Sequence, residues 1–583
     1  MAQDTNLENI RHSCAHLLAA AVVKLWPDTK NTIGPATDNG FYYDFDFKNP
    51  ISEEDFSKIE AEMAKILRTW DKFDRVEVTF EEAKERFKDN PYKLELIDEL
   101  EKEGQQITLY KSGNFIDLCK GGHSENPQED IGAIKLIGIA GAYWRGNEKN
   151  KMLTRIYGAC FRTKNELEEH LKLLEEAKKK DHRILGESLE LFTTSVEIGP
   201  GLILWLPKGT LIKEELEKLG KETEFKYGYQ RVSTPHIAKE SLYKLSGHLP
   251  YFATDMFPPM KSEEGNYYLK PMNCPHMHMI YKSKLHSYRD FPIRYAEFGT
   301  VYRFEDSGTL MGLLRVRGHT QNDAHIYCGS EEQALEELVA VMKLHEYYFK
   351  IFGIKDFYIE LALPDFEKKK DKYFDNPKAW EKAVSLLRKA AKQSGVEVVE
   401  DVGGAAFYGP KFDFNIKSAT GRKFSITTNQ LDFGSGDRFK LKFTDQDGAE
   451  KIVPYIIHRA PLGSDERFIG YLIELFGGAF PTWLSPTQVK IIPISDKNLS
   501  YGQKLLEQFK EAGIRAELDD KNSTMQSKIR DGQLQKIPYM VVVGEREEKE
   551  KKITVRSRRG ESKPNLDLKM FLKDLNKEIA DRS

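Results

Sequence analysis

The stretch Tyr295–Cys328, YAEFGTVYRFEDSGTLMGLLRVRGHTQNDAHIYC, constrains the fold of this chain more than any other. It opens with apolar and aromatic residues near strand spacing: Phe298, Thr300, Tyr302 and Phe304. Asp306-Ser307-Gly308 interrupts it, and a second run leads to Ile326 and Tyr327. Two such runs around a turn signal predict a long antiparallel hairpin with a mobile tip. Its facing strands are expected to carry Arg303, Glu305, Arg315, Arg317, Gln321, Asp323 and His325. A solvated sheet face would account for charge alone, but the kind of group argues for more. Arginine forks match phosphate and carboxylate oxygens, and imidazole is a metal-ligand type.

Two other stretches are expected to converge on this hairpin. One is Lys270–Met279, KPMNCPHMHM; the other is Pro454–Phe468, PYIIHRAPLGSDERF. The second reads as a buried strand (Val453–Ile457) followed by a helix with Ser464 as N-cap and Arg467 in its first turn. An arginine beside free helix-start amides suits an anionic phosphate tail. Cys274, His325 and His458 are potential metal ligands, 51 and 133 residues apart. That spacing matches no local zinc-finger signature, so each alone reads equally as a core residue.

With 583 residues, 40% hydrophobic and 31% charged, the chain has material for several domains. The net charge of −3 excludes a uniformly basic nucleic-acid coat, so any such surface must be local. From Thr487 onward there are 21 Lys+Arg against 16 Asp+Glu, an excess of five for this region, with a local basic run at Arg556-Ser557-Arg558-Arg559. No signal core opens the chain, no apolar run is long enough to span a membrane, and five cysteines make no disulfide scaffold. A cytoplasmic, reducing location is the default.

The N-terminal region pairs His12 with His16 on one helix face and Cys119 with His123 on a later loop. Two buried or surface histidines and an unrelated cysteine are the plain alternative; a zinc site is the obvious functional one. A charged helix is expected over Ser52–Trp70 and a solvated linker helix over Thr163 to about Ser188. The mixed basic and aromatic segment Ala142–Phe161 suits either the backbone and unstacked bases of a nucleic-acid end or a closing hairpin. In the large region, helices are expected over Glu214–Tyr227, after the Ser330–Gln333 capping box, and over Ala379–Gln393. A strand is expected at Phe357–Leu361, and a hairpin after Phe407. From about Gln488, strands alternate with helices, which predicts a separate α/β domain.

Several of these segments carry a family resemblance. Tyr302-Arg303-Phe304-Glu305 before a variable loop resembles motif 2 of the class II aminoacyl-tRNA synthetases. Gly463-Ser464-Asp465-Glu466-Arg467-Phe468 resembles motif 3, and Val232-Ser233-Thr234-Pro235 resembles motif 1, the dimer-interface element. With the MNCPHMH and HRAPLGS segments, the chain is similar to the threonyl-tRNA synthetases from about Leu7 to its C-terminus. The resemblance implies an α+β multidomain chain. It would comprise an editing domain (1–162), a linker helix (163–189), an antiparallel-sheet catalytic domain (190–486) and an α/β anticodon-binding domain (487–583). It implies a homodimer that activates L-threonine with ATP and magnesium, transfers it to tRNA(Thr), and hydrolyses mischarged seryl-tRNA(Thr).

Residue by residue, the resemblance makes Cys274, His325 and His458 the ligands of a catalytic zinc. Arg303 contacts the α-phosphate and the carboxylate, Glu305 the adenine amine, and Arg315 and Arg467 the γ-phosphate end. Gln321, Asp323 and Tyr408 surround the substrate amine; Met272, Gln430 and Ser464 line the pocket; Lys411 approaches the phosphoryl oxygens. His248 is placed, by position, near the terminal tRNA ribose. His12, His16, Lys93, Asp117, Cys119 and His123 form the editing pocket, which in this family is thought to work without a metal. Asn522, Glu547 and Arg556 reach the anticodon.

A metal with open positions makes chemical sense here. An apolar pocket separates near-isosteres such as valine and threonine by only about 100-fold. A metal that takes amine and hydroxyl together rejects valine but not serine, whose missing methyl is worth roughly 1–3 kcal/mol. A second, hydrolytic sieve follows. The chain departs from the family pattern in three places. It has Lys120-Gly121-Gly122-His123 where RGPH is usual, Pro461 where an apolar residue is usual, and no ubiquitin-like domain before His12. A tRNA- or mRNA-binding regulator that lost activity would not need the arginines and ligand triad together. A prolyl or seryl enzyme would not need the triad.

Overall fold

The computed structural model describes every residue except 1–4, 38, 148, 368–372, 419–420, 422 and 583. The chain divides into two compact units, Met1–Glu176 and Ala177–Ser583. No helix among the described residues is long and apolar enough to cross a membrane.

The first unit is built on the helix Thr5–Leu25, whose Cys14, Leu17, Leu18, Ala21 and Val22 are buried against Phe41, Tyr43 and Phe45. Those aromatics come from the strand Gly40–Asp46, which pairs antiparallel with Met152–Phe161; that strand in turn pairs with Ala133–Tyr143. A second small sheet contains Phe115–Leu118. Asn90 caps the helix Pro91–Lys102 by accepting the Lys93 N–H, with proline at the first helical position. The charged helix starts later than the pattern suggested. Ser52 caps a 3-10 turn at Glu53–Asp55, and the α-helix proper is Phe56–Leu67.

The second unit holds an eight-stranded sheet. Its order is Gln230–Arg231, Ile293–Tyr302, Gly318–Cys328, Tyr455–Ala460, Lys423–Asp432, Lys411–Lys417, Phe357–Leu363 and Val398–Val402. The outermost pair at each end is parallel, and the centre is antiparallel. Strand alternation decides what faces where. Ala324, Ile326, Cys328, Leu431, Ile457, Phe412 and Phe414 enter one hydrophobic core with the helices Pro207–Lys226, Glu331–Phe352 and Pro377–Ser394. Gln321, Asp323, His325, Gln430, Asp432, His458 and Lys411 alternate with them along the strands and face away from that core.

The hairpin forms as expected, with register Tyr302↔Gly318 at its loop end. However, Arg303, Glu305, Arg315 and Arg317 lie in the 303–317 connection, not on the strands; only the Arg303 N–H to Arg317 O bond (2.9 Å) extends the ladder. The linker is two helices, Lys164–Lys180 and His182–Ser188, because Asp181 breaks the first and caps the second. The segment before Pro207 contributes only the two-residue strand Leu204–Trp205, and the helix expected at 214 begins at Pro207. Pro235 lies between two short strands, Gln230–Arg231 and Ile237–Lys239. In the Ser330 cap, Gln333 Oε1 accepts from Gly329 N rather than from the cap residue.

The C-terminal sheet runs Ala516–Leu518, Val489–Pro493, Tyr539–Val543, Ile553–Ser557 and Ser562–Leu566. The first three are parallel and the last two antiparallel. Its Val489, Ile491, Val541 and Val543 pack on the helices Leu499–Glu511 and Leu568–Asp581. Arg515 ties it to the larger sheet's surroundings through Glu215 (2.6 Å) and the Trp483 carbonyl (2.6 Å).

Candidate active sites

In the second unit, Cys274 opens the helix Cys274–Lys282 while His325 and His458 are direct cross-strand partners. Their ligand atoms lie within 4.8 Å of one another, and the two rings are 4.3 Å apart. His325 is fully buried, yet neither ring nitrogen finds a hydrogen-bond partner among the described residues. Orphaned nitrogens at a buried position fit a metal ligand. His458 presents Nε2 to Asp432 Oδ2 at 3.0 Å and leaves Nδ1 unpartnered. Asp432 is itself held by the Gly434 and Ser435 N–H groups (2.8 and 2.9 Å). A carboxylate behind a ligating imidazole fixes its tautomer and direction.

Burial pushes His325 well below its ordinary value, so it is the neutral imidazole a metal needs. Burial opposes charge on His458 as well, but Cys274 and Asp432 outweigh it and raise it to about 10. Positive charge is thus favoured where the three ligand atoms meet. A second set, His278, Asp432 and His458, is equally compact. There Asp432 is already committed to His458 and to two backbone amides, so the Cys–His–His set fits better.

Cys274 and His458 line a cavity of about 450 Å³, together with Met272, Arg303, Gln321, Asp323, Tyr408, Lys411 and Gln430 among others. Asn273 Nδ2 donates to Asp323 Oδ2 at 3.0 Å, Tyr408 hydroxyl to Gln430 Oε1, and Lys411 Nζ to Asp413. Arg303 and Gln321 also line a second pocket with Glu305, Arg315, His319, Ser464 and Arg467. Ser464 caps the helix Asp465–Phe476 by accepting from Arg467 N, which places Arg467 at the helix start as expected. Arg467 is further held by the carbonyls of Leu314 (Nε, 3.0 Å) and Ser425 (Nη1, 2.9 Å). Burial, with Arg303 and Arg315 nearby, pulls Arg467 down to about 10. A buried arginine with two more beside it calls for an anion.

His248 is buried near the cavity residue Phe407 (rings 5.8 Å apart), with Nδ1 on Ser246 Oγ at 2.8 Å and Nε2 unpartnered. Burial depresses it to about 3, which keeps the ring neutral.

In the first unit, His12, His16, Cys119 and His123 also converge within 4.8 Å. Cys119 Sγ lies 3.6 Å from His12 Nε2 and 3.4 Å from His123 Nε2. Beside them, buried Asp117 accepts from Lys93 Nζ (2.6 Å) and the Tyr43 hydroxyl (2.5 Å), with His16 Nδ1 at 3.5 Å. His12, His16, Tyr43, Lys93, Asp117 and Cys119 line a cavity of about 510 Å³. Burial lowers His12 and His16, lowers His123 to about 2, and raises the Cys119 thiol to about 11. The cluster is three neutral imidazoles and a protonated thiol.

The Lys120–His123 loop explains its own sequence. Gly121 and Gly122 have φ of +105° and +85°, and the Gly122 carbonyl lies 3.1 Å from His12 Nδ1. Proline, with φ near −65°, cannot adopt the Gly122 conformation.

In the 142–161 segment, basic groups are committed to acids: Arg155 to Asp44 (2.6 and 2.8 Å), Lys151 to Asp46 (2.8 Å), and Arg145 to Glu95 and Glu99. In the C-terminal sheet domain, Asn522 is on an exposed loop and Arg556 has an unpartnered buried Nε. Both carboxylate oxygens of Glu547 cap local structure, accepting from Gly544 N and Thr554 Oγ1. Sequence reasoning missed Tyr43, Asp432, Asn273 and Ser425, which hold the named groups; Tyr43 alone stood in a conspicuous aromatic strand.

Three families match: residues 253–476 the tRNA synthetase class II core domain (G, H, P, S and T), 488–578 the anticodon binding domain, and 107–157 the threonyl and alanyl tRNA synthetase second additional domain. The chain is 46% identical to the threonine–tRNA ligase of Sulfurihydrogenibium sp. (strain YO3AOP1) over 99% of its length and 89% of that protein. Identity to the Borreliella afzelii (strain PKo) threonine–tRNA ligase is also 46%, covering all of both chains. Its structure resembles the RNA-binding domain of threonyl-tRNA synthetase from Cryptosporidium parvum Iowa II. The TM-score is 0.64 at 35% identity, over 68% of this chain and 98% of that one. Sequence, geometry and relatives agree, and the chain belongs to the threonine–tRNA ligases, a class II aminoacyl-tRNA synthetase family.

Proposed function

We propose that this chain activates L-threonine in the cavity beside Cys274, His325 and His458, transfers it to tRNA(Thr), and hydrolyses seryl-tRNA(Thr) in the pocket around His12. The observation that carries the reading is the orphaned His325 ring, buried opposite His458 behind a cavity that Cys274, His458 and Arg303 line, with Arg303, Arg315 and Arg467 lining a second pocket. Cys274, His325 and His458 would hold zinc. When bound, the metal supplies open positions that accept the amine and hydroxyl of threonine together.

The rest of the activation step falls to the protein. Asp323, Gln321 and Tyr408 orient the amine, with Met272, Gln430 and Ser464 shaping the pocket. Arg303 bridges the carboxylate and the ATP α-phosphate, and Lys411 approaches the phosphoryl oxygens as negative charge spreads. Glu305 accepts from the adenine amine, and Arg315 and Arg467 bind the far phosphates with magnesium. His248, neutral and with Nε2 free, is placed to take a proton from the terminal ribose.

In editing, neutral His12 and His123 hold a water against the ester carbonyl while Lys93 and Asp117 fix its direction, with no metal required. We divide the chain into editing (1–162), linker (163–189), catalytic (190–486) and anticodon-binding (487–583) parts. Asn522, Glu547 and Arg556 face the anticodon, and a cytoplasmic homodimer forms through the segment around Pro235.

ATP–pyrophosphate exchange with threonine, serine, valine and proline in parallel tests this. Exchange with threonine, weaker with serine and absent with valine is expected; a preference for proline, or no exchange at all, would contradict it.

A further inference from the structure

The 303–317 connection is gripped from a helix to which sequence reading gives no chemistry. His182 begins the helix His182–Ser188 and is 1% exposed. Its Nδ1 lies 2.7 Å from Glu474 Oε1, and its Nε2 accepts the Leu313 backbone N–H at 3.1 Å. An acceptor at Nε2 requires the neutral tautomer with its proton on Nδ1, aimed at the Glu474 carboxylate. Asp181, His182 and Glu474 are close enough to suggest a cation site. Both ring nitrogens are already engaged, however, and Asp181 is committed to the Arg183 amide (2.8 Å) and guanidinium.

The surroundings are cut to this ring. A Cβ on Gly312, whose φ is +49°, would sit 2.3 Å from His182 Nε2, and one on Gly470 would sit 2.9 Å from Leu313 Cβ. The next residue, Leu314, accepts from Arg467 Nε at 3.0 Å, and Arg315 follows, paired with Glu305 at 2.8 Å. The helix Asp465–Phe476 therefore holds the returning arm of the connection twice. Arg467 in its first turn grips directly, and Glu474 near its end grips through His182.

We propose that His182 is a positioning residue for ATP. It fixes residues 313–315 so that Arg315 and Arg467 meet the polyphosphate in one geometry, and it touches no substrate itself. The inference rests on the ATP reading of the arginine pocket.

Threonine-dependent ATP–pyrophosphate exchange by the full chain tests it. His182→Phe keeps the ring volume and loses the acceptor, so KM for ATP rises about tenfold while KM for threonine stays within about twofold. His182→Gln, whose amide can accept from Leu313 and donate to Glu474, restores the ATP KM to within about threefold of wild type. Gly312→Ala crowds Nε2 from the loop side and gives the same ATP-selective rise, so a poorly folding phenylalanine variant leaves the proposal testable. An unchanged ATP KM in His182→Phe would overturn it, as would equal losses for ATP and threonine in all three variants tracking a lowered Tm. Absence of exchange in the wild type is a distinct result: it removes the ATP reading and this inference with it.

Discussion

His325 and His458 face each other across adjacent antiparallel strands, 4.3 Å ring to ring, and share no hydrogen bond. The register places them there: residues on the helix side of the same strands fill the core, so one pairing step in either direction would bury the imidazoles among leucines.

Cys274 completes the pair. Cys274→Ser should lower bound zinc to well under one per chain and cut threonine-dependent exchange by more than about 100-fold, since oxygen is the weaker partner for this ion. Metal analysis and exchange on the same sample check it; near-normal exchange would remove Cys274 from the site.

Asp432 acts one shell out. Asp432→Asn should weaken zinc affinity by about 10–100-fold while leaving the fold intact, because His458 loses the carboxylate that fixes its tautomer. Competition with a chelator measures this, and an unchanged affinity would show that Asp432 serves only the local turn.

The editing pocket makes a separable prediction. His12→Ala should leave threonylation within about twofold of wild type while seryl-tRNA(Thr) accumulates. A deacylation assay that finds wild-type hydrolysis would exclude His12 from the step. Chelator treatment should leave deacylation unchanged.

Acid should affect that unit's stability before its chemistry. Burial depresses His12, His16 and His123, so the folded unit resists protons that the unfolded chain takes up near pH 6.5. Stability therefore falls as pH drops below about 6.5, whereas the neutral imidazoles persist and the deacylation rate holds between about pH 7.5 and 6. A rate inflection near 6.5 would contradict the neutral-imidazole reading.

Lys93 and Asp117 form an ion pair 2% and 1% exposed. Lys93→Met leaves the buried carboxylate without its cation and should cost about 3–5 kcal/mol of folding stability in the first unit. Chemical denaturation monitored by a fluorophore within that unit checks the magnitude.

Much of this was legible in the chain. Strand alternation and the turn at Asp306–Gly308 located the central hairpin, and Ser464 announced its helix and the placement of Arg467. The meeting of Cys274, His325 and His458 was implied only by resemblance, because residues scattered over 184 positions are brought together by tertiary structure, which no local pattern encodes. Partners such as Asp432 and Tyr43 were invisible for the same reason: their roles lie in what they face across the sheet. The Gly121-Gly122 departure, odd in sequence, is explained by two positive φ angles that only the coordinates reveal. His182 sat in a charged helical run whose composition gave no hint that Asp181 breaks it and turns the ring inward.

The most direct test of the central claim is to strip the wild-type enzyme with a chelator, quantify residual metal, and follow threonine-dependent exchange as zinc is restored. Exchange should disappear with the metal and return in proportion as occupancy approaches about one per chain, with valine silent throughout. Full threonine exchange by metal-free enzyme would contradict it.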